Sequence, residues 1–259
     1  MTRDRARLPV LEVALNGSRD HAETPRTAEQ LAEAARAAVE EGARVIHMHP
    51  YDAMGRETLA AESCAAALKA VRAACPGVPV SLSTSSEIEP DPRARLDLIA
   101  RWRVQPDLVS ANQGEAGIEA LCEYLMARGV GIEAGILSVA DAEAFALSDI
   151  KNRCVRVLVE PLDADSAAAL AHAAAIEQVL MRAGVSIEQV HHGDGLASWA
   201  VNSRALERGH GIRTGLEDTT VLPDGRPTRD NSALVRAAVA MIADASKRLH
   251  DRPEARAGR

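Results

Sequence analysis

Aromatic side chains are nearly absent from this 259-residue chain, which has one Phe, two Trp and two Tyr, or 2% of its residues. Single-stranded nucleic acids are held by stacking bases on aromatic rings, so that class of partner has no platform here. The formal charge of −7 at pH 7 argues equally against a protein that tracks a phosphate backbone. Long apolar runs are missing too, and none approaches the roughly 20 residues that span a bilayer. The arginines at 3, 5 and 7 precede no apolar stretch of signal-peptide length, so export is not expected and a cytoplasmic location is. The four cysteines, Cys64, Cys75, Cys122 and Cys154, show no CxxC spacing and read as small buried residues of a reducing compartment. No Gly-x-Gly-x-x-Gly follows the first apolar strand, which removes support for a Rossmann nucleotide site.

What is present is an aliphatic chain, 47% hydrophobic, whose core must be built from Ala, Val, Leu and Ile. Its pattern is strand then helix, repeated without a linker or a break in composition. Strands are expected at 10–15, 44–49, 78–83, 108–111, 131–134, 153–159, 187–191 and 211–216. Helices are expected from Thr27 to Glu41 and at 60–74, 92–103, 118–128, 138–147, 165–182, 196–207 and 231–248. Thr27 with Gln30 forms a capping box, and Gly42 closes that helix. Eight such units in about 250 residues predict a single-domain α/β protein, a (β/α)8 TIM barrel. The tail from Asp251 reads as polar and frayed.

In such a barrel the active site lies at the C-terminal strand ends. Polar residues gather at those positions: Asn16 and Arg19, His47 and His49, Ser83 and Thr84, Asn112 and Glu115, Glu160, His192, Arg213, Glu217 and Asp218. Loops are polar in any protein, so one group alone decides little. The stretch Val45-Ile-His-Met-His49 is more telling. Side chains alternate along a strand, so His47 and His49 face one side and could supply two ligands to a divalent metal, with Asp52 just beyond. A solvated His-x-His is the ordinary alternative. Strand eight, which only strand one separates from strand two in a closed barrel, ends in Glu217-Asp218. Glu217 could complete a His-His-carboxylate set, leaving Asp218 free as a base oriented by Arg213. The glycines at 209, 211 and 215 favour close backbone approach to this segment.

Together, His47-Met-His49, Asp52 and Gly55-Arg56, then Arg213-Thr-Gly215-Leu-Glu217-Asp218 and Asn231-Ser-Ala-Leu-Val235, resemble the β-keto acid cleavage enzymes, typified by 3-keto-5-aminohexanoate cleavage protein. The similarity runs from Val10 to about Ala243 with the motifs in order. It implies a (β/α)8 enzyme in which a β-keto acid and acetyl-CoA become acetoacetate and a new acyl-CoA. It further implies Zn²⁺, or another divalent metal, held one per chain by His47, His49 and Glu217, with acid–base chemistry by Asp218 and Arg213. Ser83, Thr84 and Asn112 match the family's polar strand ends, with Asn16, Arg19 and Glu115 beside them as further substrate contacts. A homotetramer is the family's usual assembly.

This chain departs from the family pattern in several places. Pro50-Tyr51 stands where His-x-His is usually followed by x-Arg, and Ser85-Ser86 where the strand-three turn has Gly-Gly. Glu115 replaces a Thr, and Thr219 an Asn. Arg19 stands where relatives of the aminohexanoate enzyme carry an acid. It either points into solvent beside Asp20 or favours a substrate that is neutral or anionic at its distal end rather than an amine. Other divalent-metal lyases or hydrolases on the same scaffold, an Fe(II) site of the same ligand type, and a non-catalytic ligand-binding relative are the alternatives. A requirement for acetyl-CoA separates the first of these from the cleavage reaction.

Overall fold

The structure is a computed structural model, and it describes residues 8–250. The arginines before residue 8 and the tail from Asp251 expected to fray lie outside the described residues. The elements are β1 (Leu11–Ala14), α1 (Ala28–Glu41), β2 (Val45–Met48), α2 (Ala61–Ala74), β3 (Val80–Ser83), α3 (Pro92–Ala100), β4 (Leu108–Asn112), α4 (Ile118–Met126), β5 (Gly131–Ile136), α5 (Val139–Leu147), β6 (Arg156–Val159), α6 (Ser166–Arg182), β7 (Glu188–His191), α7 (Ala197–Glu207), β8 (Gly211–Thr214) and α8 (Asn231–His250). The strands are parallel and follow chain order around a closed barrel, with β8 returning to pair with β1. The (β/α)8 architecture expected from the sequence is the one observed.

Local chemistry explains the boundaries. The capping box at α1 forms as expected: the Gln30 backbone N–H donates to Thr27 Oγ1 at 3.2 Å, and the Thr27 N–H donates to Gln30 Oε1 at 3.1 Å. Gly42 closes the helix at φ 122°, where a side chain is unfavourable. Asp91 with Pro92 behind it starts α3, and Ser138 and Asp165 cap α5 and α6.

Several element ends differ from expectation by one to three residues, β6 for example starting at Arg156, and three of the differences have a clear local cause. β8 stops at Thr214 because Gly215 turns the chain, its carbonyl accepting from the Asp218 and Thr219 N–H groups at 3.0 and 2.9 Å. α3 ends at Ala100, and the buried Trp102 beyond it turns inward to donate its indole N–H to the Leu59 carbonyl at 2.9 Å. β5 runs on to Ile136 because Ala134, Gly135 and Ile136 keep pairing with Val157, Leu158 and Val159. Glu133, expected near a strand end, therefore lies mid-strand inside the barrel with no exposed surface.

The main apolar core lies between sheet and helices. The barrel interior is layered differently. Val10, Val45, Leu108, Leu158 and Val190 form a separate apolar cluster. Beside it lies a charged cluster, where barrels of this kind usually carry branched aliphatics. Arg156 Nη1 reaches Glu133 Oε1 at 3.1 Å and Glu12 Oε2 at 3.5 Å, while its Nε meets Glu188 Oε2 at 3.1 Å. Burial, with Glu133 alongside, raises the Glu12 carboxyl well above its usual range. All four cysteines are free and buried, as expected, and burial pushes the thiols of Cys64, Cys122 and Cys154 up to about 12. Among the described residues no helix is long and apolar enough to cross a membrane.

Candidate metal centre and base

β2 carries His47 and His49 to the C-terminal mouth, their rings edge to face with centroids 5.2 Å apart. The turn after β8 brings Glu217 to them, Oε2 lying 3.3 Å from His47 Nε2 and 3.5 Å from His49 Nε2. Two glycines allow this approach. A side chain at Gly215 would overlap the Ala14 carbonyl across the β1–β8 seam, and one at Gly17 would come within 2.8 Å of Glu217 Cγ. Asn231 stitches the same seam, accepting from the Leu216 N–H at 2.9 Å and donating to the Leu15 carbonyl at 2.8 Å. That accounts for the first residue of the Asn-x-x-Leu-Val motif, whose Leu234 and Val235 are core.

His49 Nε2 and Glu217 Oε2 are buried without a hydrogen-bond partner, and with His47 their ligand atoms fall within 4.8 Å of one another. Buried polar atoms converging unsatisfied on one point are what a cation would complete. Two imidazoles and a carboxylate suit Zn²⁺ with a position open to substrate.

The far sides of both rings are held. His49 Nδ1 lies 2.7 Å from Glu57 Oε2. His47 Nδ1 lies 3.4 Å from Ser81 Oγ, which donates to Glu133 Oε2 at 2.5 Å. Such partners turn Nε2 toward a metal. Without a cation the groups shift one another. Burial alone would lower His49, but Glu217 and Glu57 raise it to about 10. For His47 burial prevails and its pKa falls. Glu217 goes well below the usual carboxylate range despite burial, through Arg213 and the two histidines.

A second group of potential ligands, Glu12, His47 and Glu133, lies wholly inside the barrel. There Arg156 and Arg213 face Glu12, so two guanidiniums already offset the charge of that group.

Asp218 is buried next to the ligand set. Arg213 Nη2 donates to Asp218 Oδ1 at 2.7 Å and to Glu217 Oε1 at 2.9 Å, the orientation the sequence suggested. Asp218 Oδ2 has no partner. Although burial acts to raise it, the carboxyl is lowered by Arg213 and His192. His192, fully buried, has Nδ1 3.4 Å from Asp218 Oδ1 and Nε2 3.3 Å from Glu160 Oε2. Burial and Arg213 press its pKa down, but the two carboxylates carry it up to about 9.

The other sequence-predicted residues divide into two groups. Ser83 shares the inward face of β3 with Ser81 and makes a single long contact, from the Ser85 N–H at 3.4 Å. Asn112 ends β4 beside Gly135, and its amide donates to Glu115 at 3.1 Å. These two remain open to a ligand. Asn16 is committed to backbone, donating to the Pro25 and His49 carbonyls and accepting from the His49 N–H, all at 2.8 Å. It clamps β1 to His49 rather than offering a free amide. Thr84 donates to the Ser110 carbonyl at 2.7 Å. Glu115 is paired with the buried Arg95 and accepts from the Ser86 N–H at 2.9 Å, so its carboxylate braces two loops. Arg19 neither points into solvent nor stands free: it pairs with Asp194 and donates Nε–H to the Glu217 carbonyl at 3.0 Å. Asp52 lies away from the ligand set, capping its own turn and pairing with Arg56 at 2.9 Å.

Sequence reasoning missed Glu57, Asp194 and Arg95. Glu57 returns to the site because the Asp52–Gly55 turn lets Tyr51 and Glu57 pair antiparallel, and the Asp-x-x-Gly spacing was its only signal. A cavity of about 300 Å³ opens over the centre, lined by Gly17, Ser18, Arg19, His49, Glu57, Glu87 and Glu217.

Fold and site define a (β/α)8 barrel with a candidate divalent-metal centre and a buried carboxylate–guanidinium pair at the C-terminal strand ends. The sequence profile of the beta-keto acid cleavage enzyme family matches residues 9–146 and 159–258, and the chain belongs to that family. No curated protein matches the sequence. Among solved structures the chain is similar to ObcA in its ternary complex with a C4-CoA adduct and oxalate, at TM-score 0.73 and 16% identity over 86% of this chain and 64% of that one. Apo ObcA gives 0.70 and 17% over 86% and 62%, and its binary complex with oxaloacetate 0.69 and 17% over 86% and 64%. The chain thus spans less than two thirds of the length of ObcA, and at these identities the likeness shows the fold.

Proposed function

We propose that this chain is a metal-dependent β-keto acid cleavage enzyme that exchanges acyl groups between a β-keto acid and acetyl-CoA. The observation that carries the reading is the convergence of His47, His49 and Glu217 beside the Asp218–Arg213 pair. Family membership supports it, as does the binding by ObcA of oxaloacetate and a CoA adduct.

His47, His49 and Glu217 would hold the cation, Zn²⁺ by the chemistry of the set. When bound it supplies Lewis acidity that acidifies a C–H between two carbonyl groups. Asp218 then takes the C2 proton on Oδ2, its unpartnered oxygen. The C2 electron pair attacks the acetyl carbonyl, and CoA leaves as thiolate. That thiolate attacks the original keto carbon, the bond to C2 breaks, and Asp218 returns its proton to C2. Acetoacetate and a new acyl-CoA result, with every atom accounted for. Arg213, buried and cationic, offsets negative charge building on the reacting oxygens. Ser83 and Asn112 contact the substrate carboxylate.

The test is a screen of β-keto acids with acetyl-CoA, scoring new acyl-CoA, together with metal analysis. About one Zn²⁺ per chain is expected, at the ligand set of the barrel mouth, and His47→Ala, His49→Ala or Glu217→Ala should each lower it. Asp218→Asn should keep the metal and lose about 10²–10⁴ in kcat. Full metal content in the double histidine variant, or near wild-type turnover in Asp218→Asn, would sink the reading.

A further inference from the structure

Three successive strand ends place a carboxylate, an imidazole and a carboxylate in line. Glu160 follows β6, His192 follows β7, and Asp218 lies in the turn after β8. The His192 N–H donates to the Val159 carbonyl at 3.1 Å, and the Gly195 N–H donates to the Asp218 carbonyl at 2.8 Å, so these backbones are tied directly. The His192 ring has no exposed surface, and its two nitrogens lie 3.3 and 3.4 Å from Glu160 Oε2 and Asp218 Oδ1. An imidazole between two carboxylates has a donor for each when both nitrogens carry hydrogen.

Arg213 Nη2 alone leaves Asp218 poorly fixed. It serves Glu217 Oε1 and Asp218 Oδ1 at once, and a carboxylate turns easily about its terminal torsion. His192 Nδ1 approaches the same Oδ1 from the β7 side at an ion-pair distance outside hydrogen-bond geometry, while Oδ2 has no partner.

We propose that Glu160 and His192 form a positioning dyad for Asp218: Glu160 orients the ring, and the ring with Arg213 pins Oδ1, so Oδ2 alone faces the substrate. No proton passes through the dyad, since the C2 proton goes to Oδ2 and both His192 N–H groups stay in place. This inference rests on the reading of Asp218 as the base.

The test follows deuterium exchange at C2 of acetoacetate in D₂O by proton NMR, with Zn²⁺-loaded protein and no CoA. In His192→Asn the amide nitrogen stands in for Nδ1–H and keeps the contact to Asp218. In His192→Gln it stands in for Nε2–H and loses that contact. Exchange should stay within about threefold of wild type in the Asn variant and fall about 10- to 100-fold in the Gln variant, the scale of an ångström misplacement. Glu160→Gln should fall between them. Zinc content and acetoacetate Kd should be unchanged in all three, which separates positioning from general damage. His192→Gln exchanging at the wild-type rate, or Asn and Gln variants falling equally, overturns the dyad while leaving the base in place, provided Asp218→Asn is silent. Wild-type exchange in Asp218→Asn overturns the base and the dyad together.

Discussion

His49 in the metal-free protein carries the proton that a cation must displace. Burial works against that proton, but Glu217 and Glu57 hold it and raise the ring to about 10. The folded pKa lies above the usual 6.5, so this charge stabilises the metal-free fold fully below about pH 6.5 and is lost as pH rises through about 10. Zn²⁺ uptake at pH 7 should release a proton, and apparent affinity should climb with pH toward 10. Calorimetry in buffers of different ionisation enthalpy reads this directly, and uptake without proton release would contradict it. A second residue prediction concerns Arg19. Its pairing with Asp194 leaves little net charge at the substrate's distal end, so neutral β-keto acids should lead and amines trail. Asp194→Asn should shift kcat/KM toward dicarboxylic substrates by about three- to tenfold, a modest figure because both partners are about a third exposed. Arg19→Glu should shift it toward amines, and an unchanged ranking in both variants would remove this specificity element. His47 and His49 were legible because strand alternation puts them on one face, and Glu217 because barrel closure brings the end of β8 near β2. Asp194 and Glu57 were not, because loop conformation alone decides where they point.

At the scale of elements, helix starts were legible where a side chain caps its own backbone, as at Thr27 and Ser138. Strand ends were less so. β5 reads as finished at Ala134 because Ala and Gly lack strand character, yet its neighbour β6 continues the pairing. β8 ends early for the opposite reason, since Gly215 bends the chain although Leu216 keeps up the apolar pattern. That bend aims Glu217 at the histidines. Gly215→Ala places a methyl on the Ala14 carbonyl and must push the β8 turn away from β1. A loss of about 1–3 kcal/mol in stability is expected from the overpacking, with zinc affinity weakened at least tenfold. Thermal melts and chelator competition measure the two, and unchanged affinity would mean that the seam does not set Glu217.

For the molecule as a whole, eight repeated strand–helix units made the closed barrel legible, but nothing in the repeat revealed what fills it. Glu133 and Arg156 face each other on the paired strands β5 and β6, but Glu12 comes from β1 across the barrel, and the three look like unrelated polar positions until the barrel closes. Removing the shared cation strips two buried carboxyl groups of the guanidinium they have in common. Arg156→Leu should therefore destabilise the fold by about 3–5 kcal/mol, seen as a lower urea midpoint at unchanged slope. A midpoint within error of wild type would show that the layer does not depend on this guanidinium. The same layer bears on how the chain can be divided. A cut between α4 and β5 leaves Glu12 in the first piece and Arg156 in the second. The first piece then carries an acid with no guanidinium to meet it, and the second a guanidinium short of one acid. Each half is an incomplete electrolyte, so the barrel has to assemble as one circuit rather than as two prefabricated arcs.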